Sequence, residues 1–131
     1  MRLLLDTHVL LWWLADDRKL GKGAREIIAN PSNDVHVSAA TVWEAAIKTA
    51  LRRLEIELDD LEAAVVRNGF RPLPIAFQHA VTAGRLPPVH RDPFDRMLIA
   101  QASVEELRVL SHDRIFERYG LANEGLPPII V

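Results

Sequence analysis

The segment RLLLDTHVLLWWLA, residues 2–15, joins a short apolar run to a longer one through a single aspartate, Asp6. The run at 2–6 has the length of a buried strand and ends in a polar residue, while residues 7–15 continue without a helix breaker. We therefore expect a strand followed directly by a helix, with Asp6 at the carboxyl end of the strand. A carboxylate among residues that prefer burial costs free energy unless it is paired. Asp6 therefore needs a partner from elsewhere in the chain.

Length and composition indicate one ordinary globular domain spanning residues 1–131. The absence of cysteine excludes disulfides, thiolate metal sites and cysteine nucleophiles, and it fits a cytoplasmic protein. No stretch approaches the roughly 20 apolar residues that cross a bilayer, so we expect no membrane segment. The net charge of −2 is unlike that of a globally basic nucleic-acid binder, although basic residues cluster at 18–22, 48–53 and 90–96.

Short apolar runs alternate with helical patterns along the rest of the chain. We expect further strands at 35–38, 71–75, 107–111 and 127–131, helices at 22–29, 39–54, 59–69, 76–84 and 93–106, and a helical turn at 113–119. This alternation predicts an α/β fold with an open, mostly parallel sheet. Its ligands should bind beyond the carboxyl ends of the strands, and the prolines of 71–75 favour an edge position for that strand.

The helix expected at 39–54 has two contrasting faces. Trp43 and Ile47 belong to an apolar face, and Glu44 and Lys48 belong to a polar one. The usual reading of such a helix places the apolar face against the core. We therefore expect Trp43 to be buried in the core or in an interface, and we expect the same of Trp12 and Trp13.

Four acidic residues stand at positions that could meet in space: Asp6, Glu44, Asp95 and Asp113. Asp6 and Asp113 follow strands directly, and Glu44 and Asp95 lie in helices that approach the same side of a parallel sheet. Each acid also has a local explanation. Asp6 and Asp113 are candidate helix caps, and Asp95 would complete a helix start opened by a capping Asp92. Glu44 could pair with Lys48, or form a capping box with Thr41.

Together the four acids suggest a metal site. Carboxylates packed into one pocket repel and tend to take up protons, and a divalent cation removes that conflict. A set of ligands made only of oxygen atoms favours Mg²⁺ or Mn²⁺ over zinc. The five histidines contain no closely spaced His-x-x-x-His pair that would offer a rival site.

The acids and their surroundings resemble those of PIN-domain ribonucleases, and most closely the VapC-type toxins of bacterial toxin–antitoxin modules. The resemblance rests on LLDTHVLLW around Asp6, SAATVWEAAIK around Glu44, HRDPFDRMLIAQA around Asp95 and LSHDRIFERYG around Asp113. It covers residues 2–120, and all four acidic positions are kept. It implies a three-layer α/β/α fold around a parallel sheet of four to five strands. It further implies metal-dependent endonucleolytic cleavage of RNA, a homodimer, and an antitoxin that blocks the active site.

On this hypothesis Asp6, Asp95 and Asp113 hold one or two Mg²⁺ or Mn²⁺ ions, and Glu44 either joins them or orients the attacking water. Asp92 could reach a second ion, although capping is the stronger expectation for it. Three side chains are candidate phosphate contacts: Lys48, Arg96 and Arg114. Three hydroxyl residues stand where they could support the acids by hydrogen bonds: Thr7, Ser38 and Ser111. For Ser38, helix capping explains the position equally well.

Other functions fit the sequence less well. A haloacid-dehalogenase-like phosphatase would need a second aspartate two positions after Asp6, where this chain has His8. A receiver domain would need a lysine after a late strand, where this chain has His112 and Asp113. A non-catalytic PIN fold acting as a binding module remains open, although the intact acids argue against it.

Overall fold

The computed structural model of the chain describes residues 1–51, 57–88, 91–120 and 126–131. The strands are β1 (Arg2–Leu5), β2 (Asp34–Ser38), β3 (Arg71–Leu73), β4 (Arg108–Ser111) and β5 (Ile129–Ile130). The helices are α1 (Thr7–Leu14), α2 (Lys22–Ala29), α3 (Ala39–Ala50), α4 (Leu58–Arg67), α5 (Phe77–Arg85), α6 (Pro93–Glu105) and α7 (Ile115–Gly120). The expected end of the third helix at 52–54 and the basic residue expected at His90 lie outside the described residues.

All five strands form one parallel sheet in the order β3-β2-β1-β4-β5. The strand β1 lies at the centre, where Leu4 pairs with His36 on one side and Val109 on the other. The strand β3 lies at an edge, as its prolines predict. The parallel arrangement brings the carboxyl ends of β1 and β4 together, which is where Asp6 and Asp113 stand.

Two apolar cores cover the two faces of the sheet. Alternate residues of β1 point to opposite faces, as the period of a strand requires. Leu3 and Leu5 pack with residues of α1, α2 and α4. Leu4 packs on the other face with residues that include Leu98 of α6 and Phe116 of α7. The result is the three-layer α/β/α architecture expected from the sequence.

Side-chain caps fix where three helices begin. Oδ1 of Asp6 accepts a hydrogen bond from the backbone N–H of Val9 at 2.8 Å and starts α1. The hydroxyl of Ser38 starts α3, and Oδ1 of Asp92 starts α6, with Pro93 in the first turn. These are the roles expected for helix N-caps. They set the direction in which each helix leaves the sheet.

The structure buries the polar face of α3 and leaves much of its apolar face exposed. Trp43 is 60 % exposed, whereas Glu44 is only 7 % exposed and Thr41 is fully buried. The reason is that α3 places its polar face against α1, where the hydroxyl of Thr7 donates to the Glu44 carboxylate. Trp43 is therefore not part of the core, and its place in an interface stays a prediction. Trp12 and Trp13 are partly buried against the core, as expected.

Within the described residues, no helix combines the length and the hydropathy that crossing a bilayer requires.

Candidate active site

A cleft of about 180 Å³ opens at the carboxyl ends of β1 and β4. All four acids singled out from the sequence line it. The complete lining comprises Asp6, Thr7, His8, Glu44, Lys48, Asp92, Asp95, Asp113 and Phe116. The structure thus brings together acids that are up to 107 positions apart in the chain, from Asp6 to Asp113. Among the described lining residues, Lys48 is the one with a permanent positive charge, so the cleft has a large excess of carboxylates.

Asp6 is the most deeply buried of these acids, with 4 % of its surface exposed. One carboxylate oxygen caps α1, and the other accepts a hydrogen bond from the hydroxyl of Ser111 at the end of β4. Burial raises the pKa of Asp6 above its ordinary value, and the bonds from Ser111 and Val9 counter that rise in part. Ser111 therefore supplies part of the pairing that Asp6 requires, and it supports the acid as the sequence analysis expected.

Glu44 is held by one hydrogen bond on each carboxylate oxygen. Its Oε1 accepts from Oγ1 of Thr7 at 2.8 Å, and its Oε2 lies 2.7 Å from Nζ of Lys48. The predicted ion pair with Lys48 is therefore confirmed. The alternative capping box with Thr41 is wrong, because Ser38 caps the helix and Glu44 turns toward Thr7. Both contacts aim the carboxylate into the cleft.

Asp95 and Asp113 complete the acidic lining. Asp95 lies in the first turn of α6, where its own backbone N–H donates to Asp92 at 3.1 Å, and its side chain is half-buried. Asp113 is exposed and caps the turn into α7, since its Oδ1 accepts from the N–H of Ile115 at 3.0 Å. Asp92 caps α6 as expected and also lines the cleft.

The donor chemistry of the cleft fits a divalent cation. Every acidic side chain in it offers oxygen, which is the ligand type of Mg²⁺ and Mn²⁺. In the part of the chain that the structure describes, however, no group of three or more Asp, Glu or His residues is arranged to hold an ion as it stands. The acids share the cleft but do not form a closed cage.

The basic residues correct part of the sequence analysis. Arg96 was expected at a phosphate, but its guanidinium donates to the carbonyl oxygens of Ala83, Leu86 and Pro87 at 2.9 to 3.1 Å. It ties the last turn of α5 and the residues that follow it to α6, and it is only partly exposed. Lys48 pairs with Glu44 and lines the cleft, so its contact with a phosphate stays a prediction. The side chain of Arg114 is 79 % exposed beside Asp113, with Glu117 at 3.4 Å, and it stays a candidate phosphate contact.

The hydroxyl of Ser38 does not reach the acids. It caps α3 and donates to the side-chain carbonyl of the buried Gln101. Capping, the second explanation offered for Ser38, is therefore the one that the structure supports. The three hydroxyl residues thus divide into two that contact acids of the cleft and one that contacts the core.

An aromatic cluster beside the cleft escaped the sequence analysis. The rings of His8, Trp12 and His112 contact one another, with centroids 4.7 to 5.8 Å apart. Two signals pointed to it. His8 and Trp12 are four residues apart on the helix that Asp6 begins, and His112 directly precedes Asp113. Spacing of four places side chains on one helix face.

This parallel three-layer domain with its acidic cleft belongs to the class of α/β proteins that bind ligands at the carboxyl ends of parallel strands. Within that class the chain belongs to the PIN domain family, whose model matches residues 3–121.

Individual relatives agree with this assignment. The chain is 29 % identical over 113 residues to Ribonuclease VapC22 of Mycobacterium tuberculosis, a match that covers 85 % of this chain and 86 % of that protein. In solved structures it is similar to FitAcB from Neisseria gonorrhoeae, with a TM-score of 0.66, 21 % identity, and 98 % and 96 % of the two chains covered. It is also similar to VapBC2 from Rickettsia felis bound to a promoter DNA fragment, with a TM-score of 0.63, 13 % identity, and 100 % and 98 % covered. At these identities the structural matches show the fold.

Proposed function

We propose that this chain is an endoribonuclease that hydrolyses RNA phosphodiester bonds with the help of Mg²⁺ or Mn²⁺, and that it is the toxin of a toxin–antitoxin pair. One observation carries the proposal: four acids from separate elements of a PIN domain line a single cleft. The likeness to a protein named as a ribonuclease supports the choice of RNA as the substrate.

The residues of the cleft divide into two roles. Asp6, Asp95 and Asp113 would hold the ion, because they line the cleft from the ends of two neighbouring strands and from the start of α6. A divalent ion bound there would lower the pKa of a water and offset charge that develops on the phosphate. The chain itself supplies the orientation of the carboxylates through the hydroxyl of Ser111 and the cap of α1.

Glu44 is best placed to orient the attacking water. Glu44 lines the cleft, and each of its oxygens accepts one hydrogen bond, from Thr7 and from Lys48, so each can accept another. A carboxylate fixed in this way can accept a proton of the water at one oxygen while Thr7 and Lys48 prevent it from rotating.

The proposal is tested by RNA cleavage with and without Mg²⁺ or Mn²⁺. We expect cleavage of structured RNAs that depends on the added ion, stops with chelator, and falls by more than about 100-fold in Asp95→Asn, since even outer-shell partners of metal sites cost 10- to 100-fold. The matched control is Asp59→Asn, the same chemical change at an exposed acid in the first turn of α4. Its activity should equal that of the unchanged protein.

Two results would contradict the proposal. Cleavage that persists in chelator would show that the reaction needs no metal ion. Equal cleavage by Asp95→Asn would show that the acidic site does not act in the reaction. A folded protein that binds RNA without cleaving it under any ion would instead support the non-catalytic binding module.

The antitoxin part of the proposal is supported by an apolar groove of about 550 Å³ between α3, α4 and β3. Val42 and Trp43 of α3 line it and are exposed, although they are the kind of residue that is normally buried. The same helix carries Glu44 into the cleft. A partner segment in this groove would therefore lie beside the site that it has to block. Exposed apolar patches of this kind mark protein–protein contacts.

The toxin role is tested by inducing the protein in cells with and without the neighbouring small gene. We expect growth arrest that co-expression of that gene relieves. Relief should be lost with Trp43→Ala and kept with Val66→Ala, which alters an exposed apolar residue of α4 outside the lining of the groove. Unimpeded growth from a soluble and active protein would rule out the toxin role and leave the nuclease.

The homodimer is the remaining part of the proposal. Phe77 and Val81, one turn apart on α5, are 95 % and 51 % exposed and form a second apolar surface. We expect a dimer by light scattering and a monomer for Phe77→Asp. A Phe77→Asp protein that stays dimeric would show that the dimer interface lies elsewhere.

A further inference from the structure

The aromatic cluster at the mouth of the cleft consists of His8, Trp12 and His112. His8 and Trp12 lie one turn apart on α1, with ring centroids 5.8 Å apart and planes 35° apart. The ring of His112 meets Trp12 at 4.7 Å and 60°, and meets His8 at 5.7 Å and 86°. Each ring therefore touches the other two, at separations typical of stable aromatic pairs.

Each histidine of the cluster lies within two residues of an acid of the cleft. His8 follows Asp6 by two residues and itself lines the cleft. His112 directly precedes Asp113 at the end of β4. The elements that fix the carboxylates therefore also fix the rings, so the distance between the two is set by the fold. His8 and His112 are exposed, and Trp12 is partly exposed over the core.

We propose that His8, Trp12 and His112 form a stacking platform for one unpaired base of the RNA, next to the phosphate at the cleft. This inference rests on the proposed ribonuclease function and deepens it. Every nucleobase has a flat π-face that stacks on aromatic rings, and proteins that bind single-stranded RNA use such rings. Bases within a duplex have both faces covered by their neighbours. The platform therefore selects a substrate in which the nucleotide beside the cut is unstacked.

Charge at the rim favours an RNA strand on this surface over a protein segment. Arg114 follows His112 by two residues, and its side chain is 79 % exposed. A cation beside stacking rings matches the alternation of phosphate and base along a single strand. The apolar groove proposed for the antitoxin, in contrast, is lined almost entirely by apolar residues and by Glu62.

The test uses an oligoribonucleotide with a mapped cut site and a set of copies that each lack one base near that site. With the unchanged protein, one abasic position should lower kcat/KM by about 5- to 100-fold, the range expected for loss of one base–aromatic stack. Trp12→Ala should lower kcat/KM on the complete substrate by a similar factor. On the substrate that lacks the stacked base, Trp12→Ala should cause little further loss, because the interaction is already absent.

Three further variants sharpen the test. Trp12→Phe should restore most of the activity, because it keeps a stacking ring. His8→Ala and His112→Ala should show the same loss of sensitivity to the abasic position, and they alter exposed residues that leave the core intact. Val66→Ala is the control, since it alters an exposed apolar residue of α4 that lies outside the cleft, the aromatic cluster and the apolar groove. It should leave both the activity and the abasic penalty unchanged.

The outcomes separate this inference from the proposed function. A protein that cleaves no RNA refutes the function, and the platform with it. If the protein is active and the losses in kcat/KM caused by Trp12→Ala and by the missing base multiply in full, the platform alone is refuted. If Trp12→Ala cleaves normally but is no longer relieved by the neighbouring gene in cells, the cluster contacts a protein, and the platform is likewise overturned.

Discussion

Replacing Asp6 by Asn should make the protein more stable while it abolishes activity. Asp6 is 4 % exposed, and its burial raises the pKa of the carboxyl group, which means that the folded protein disfavours the charged form. Asn keeps the shape of the side chain and caps a helix as well as Asp does. Its oxygen can still accept from the N–H of Val9, and its amide can donate to the hydroxyl oxygen of Ser111. The desolvated charge is removed, and the contacts are kept.

The expected gain is about 1 kcal/mol at pH 7, within the 0.5 to 2 kcal/mol that single stabilising replacements commonly give. For a chain of this length that raises the unfolding temperature by about 3 °C. The sign follows from proton binding. With a raised pKa in the folded state, Asp6 destabilises the protein above that pKa and regains stability as pH falls through it. The advantage of Asn should therefore shrink as pH falls through the raised pKa and vanish near the ordinary aspartate pKa of about 3.9.

Urea unfolding of both proteins from pH 7 to pH 4 measures this difference directly. Added Mg²⁺ should stabilise the unchanged protein more than Asp6→Asn, because an ion that binds only the folded state shifts the equilibrium toward it. A loss of stability of 1 kcal/mol or more in Asp6→Asn at pH 7 would refute the reasoning. It would mean that the hydrogen bonds from Ser111 and Val9 outweigh the cost of burying the charge.

Three further substitutions separate supporting contacts from binding contacts. Thr7→Val removes the 2.8 Å hydrogen bond to the buried Glu44 and should lower the free energy of unfolding by about 1.5 to 3 kcal/mol in urea titrations; an unchanged midpoint would show that this bond contributes nothing. Arg96→Lys cannot reach three carbonyl oxygens at once, so it should cost about 2 kcal/mol of stability and leave the salt dependence of RNA binding unchanged. Arg114→Gln should do the opposite, with stability within about 0.5 kcal/mol and a shallower salt dependence, and an unchanged salt slope would take Arg114 out of the RNA path.

The positions of the acids could be predicted because they follow from backbone rules. Parallel strands bring their carboxyl ends to one edge of the sheet, and Asp6 and Asp113 each come directly after a strand. Asp95 could be located because Asp92 and Pro93 mark the start of α6 so clearly. In each case a local signal assigned the residue to its element, and the topology of the sheet then placed that element at the cleft.

Side-chain partners were harder to predict, because they depend on which elements pack together. The periodicity of α3 shows two faces but does not say which one meets the protein, and here the polar face does. Arg96 has the sequence context of a phosphate contact, yet its guanidinium donates to carbonyl oxygens at the end of α5 and just after it. The ring of His112 belongs to a cluster that only the meeting of α1 and β4 creates.

Both borders of the sheet are poorly suited to accept another strand. The strand β3 has three residues with Pro72 in the middle, and β5 has two residues that directly follow Pro128. Proline offers no amide hydrogen, so neither border presents the regular ladder that a visiting backbone needs. We therefore expect other chains to recognise this molecule through side chains on its helices. A binder designed against it should be shaped as a helix or loop and not as an extended peptide.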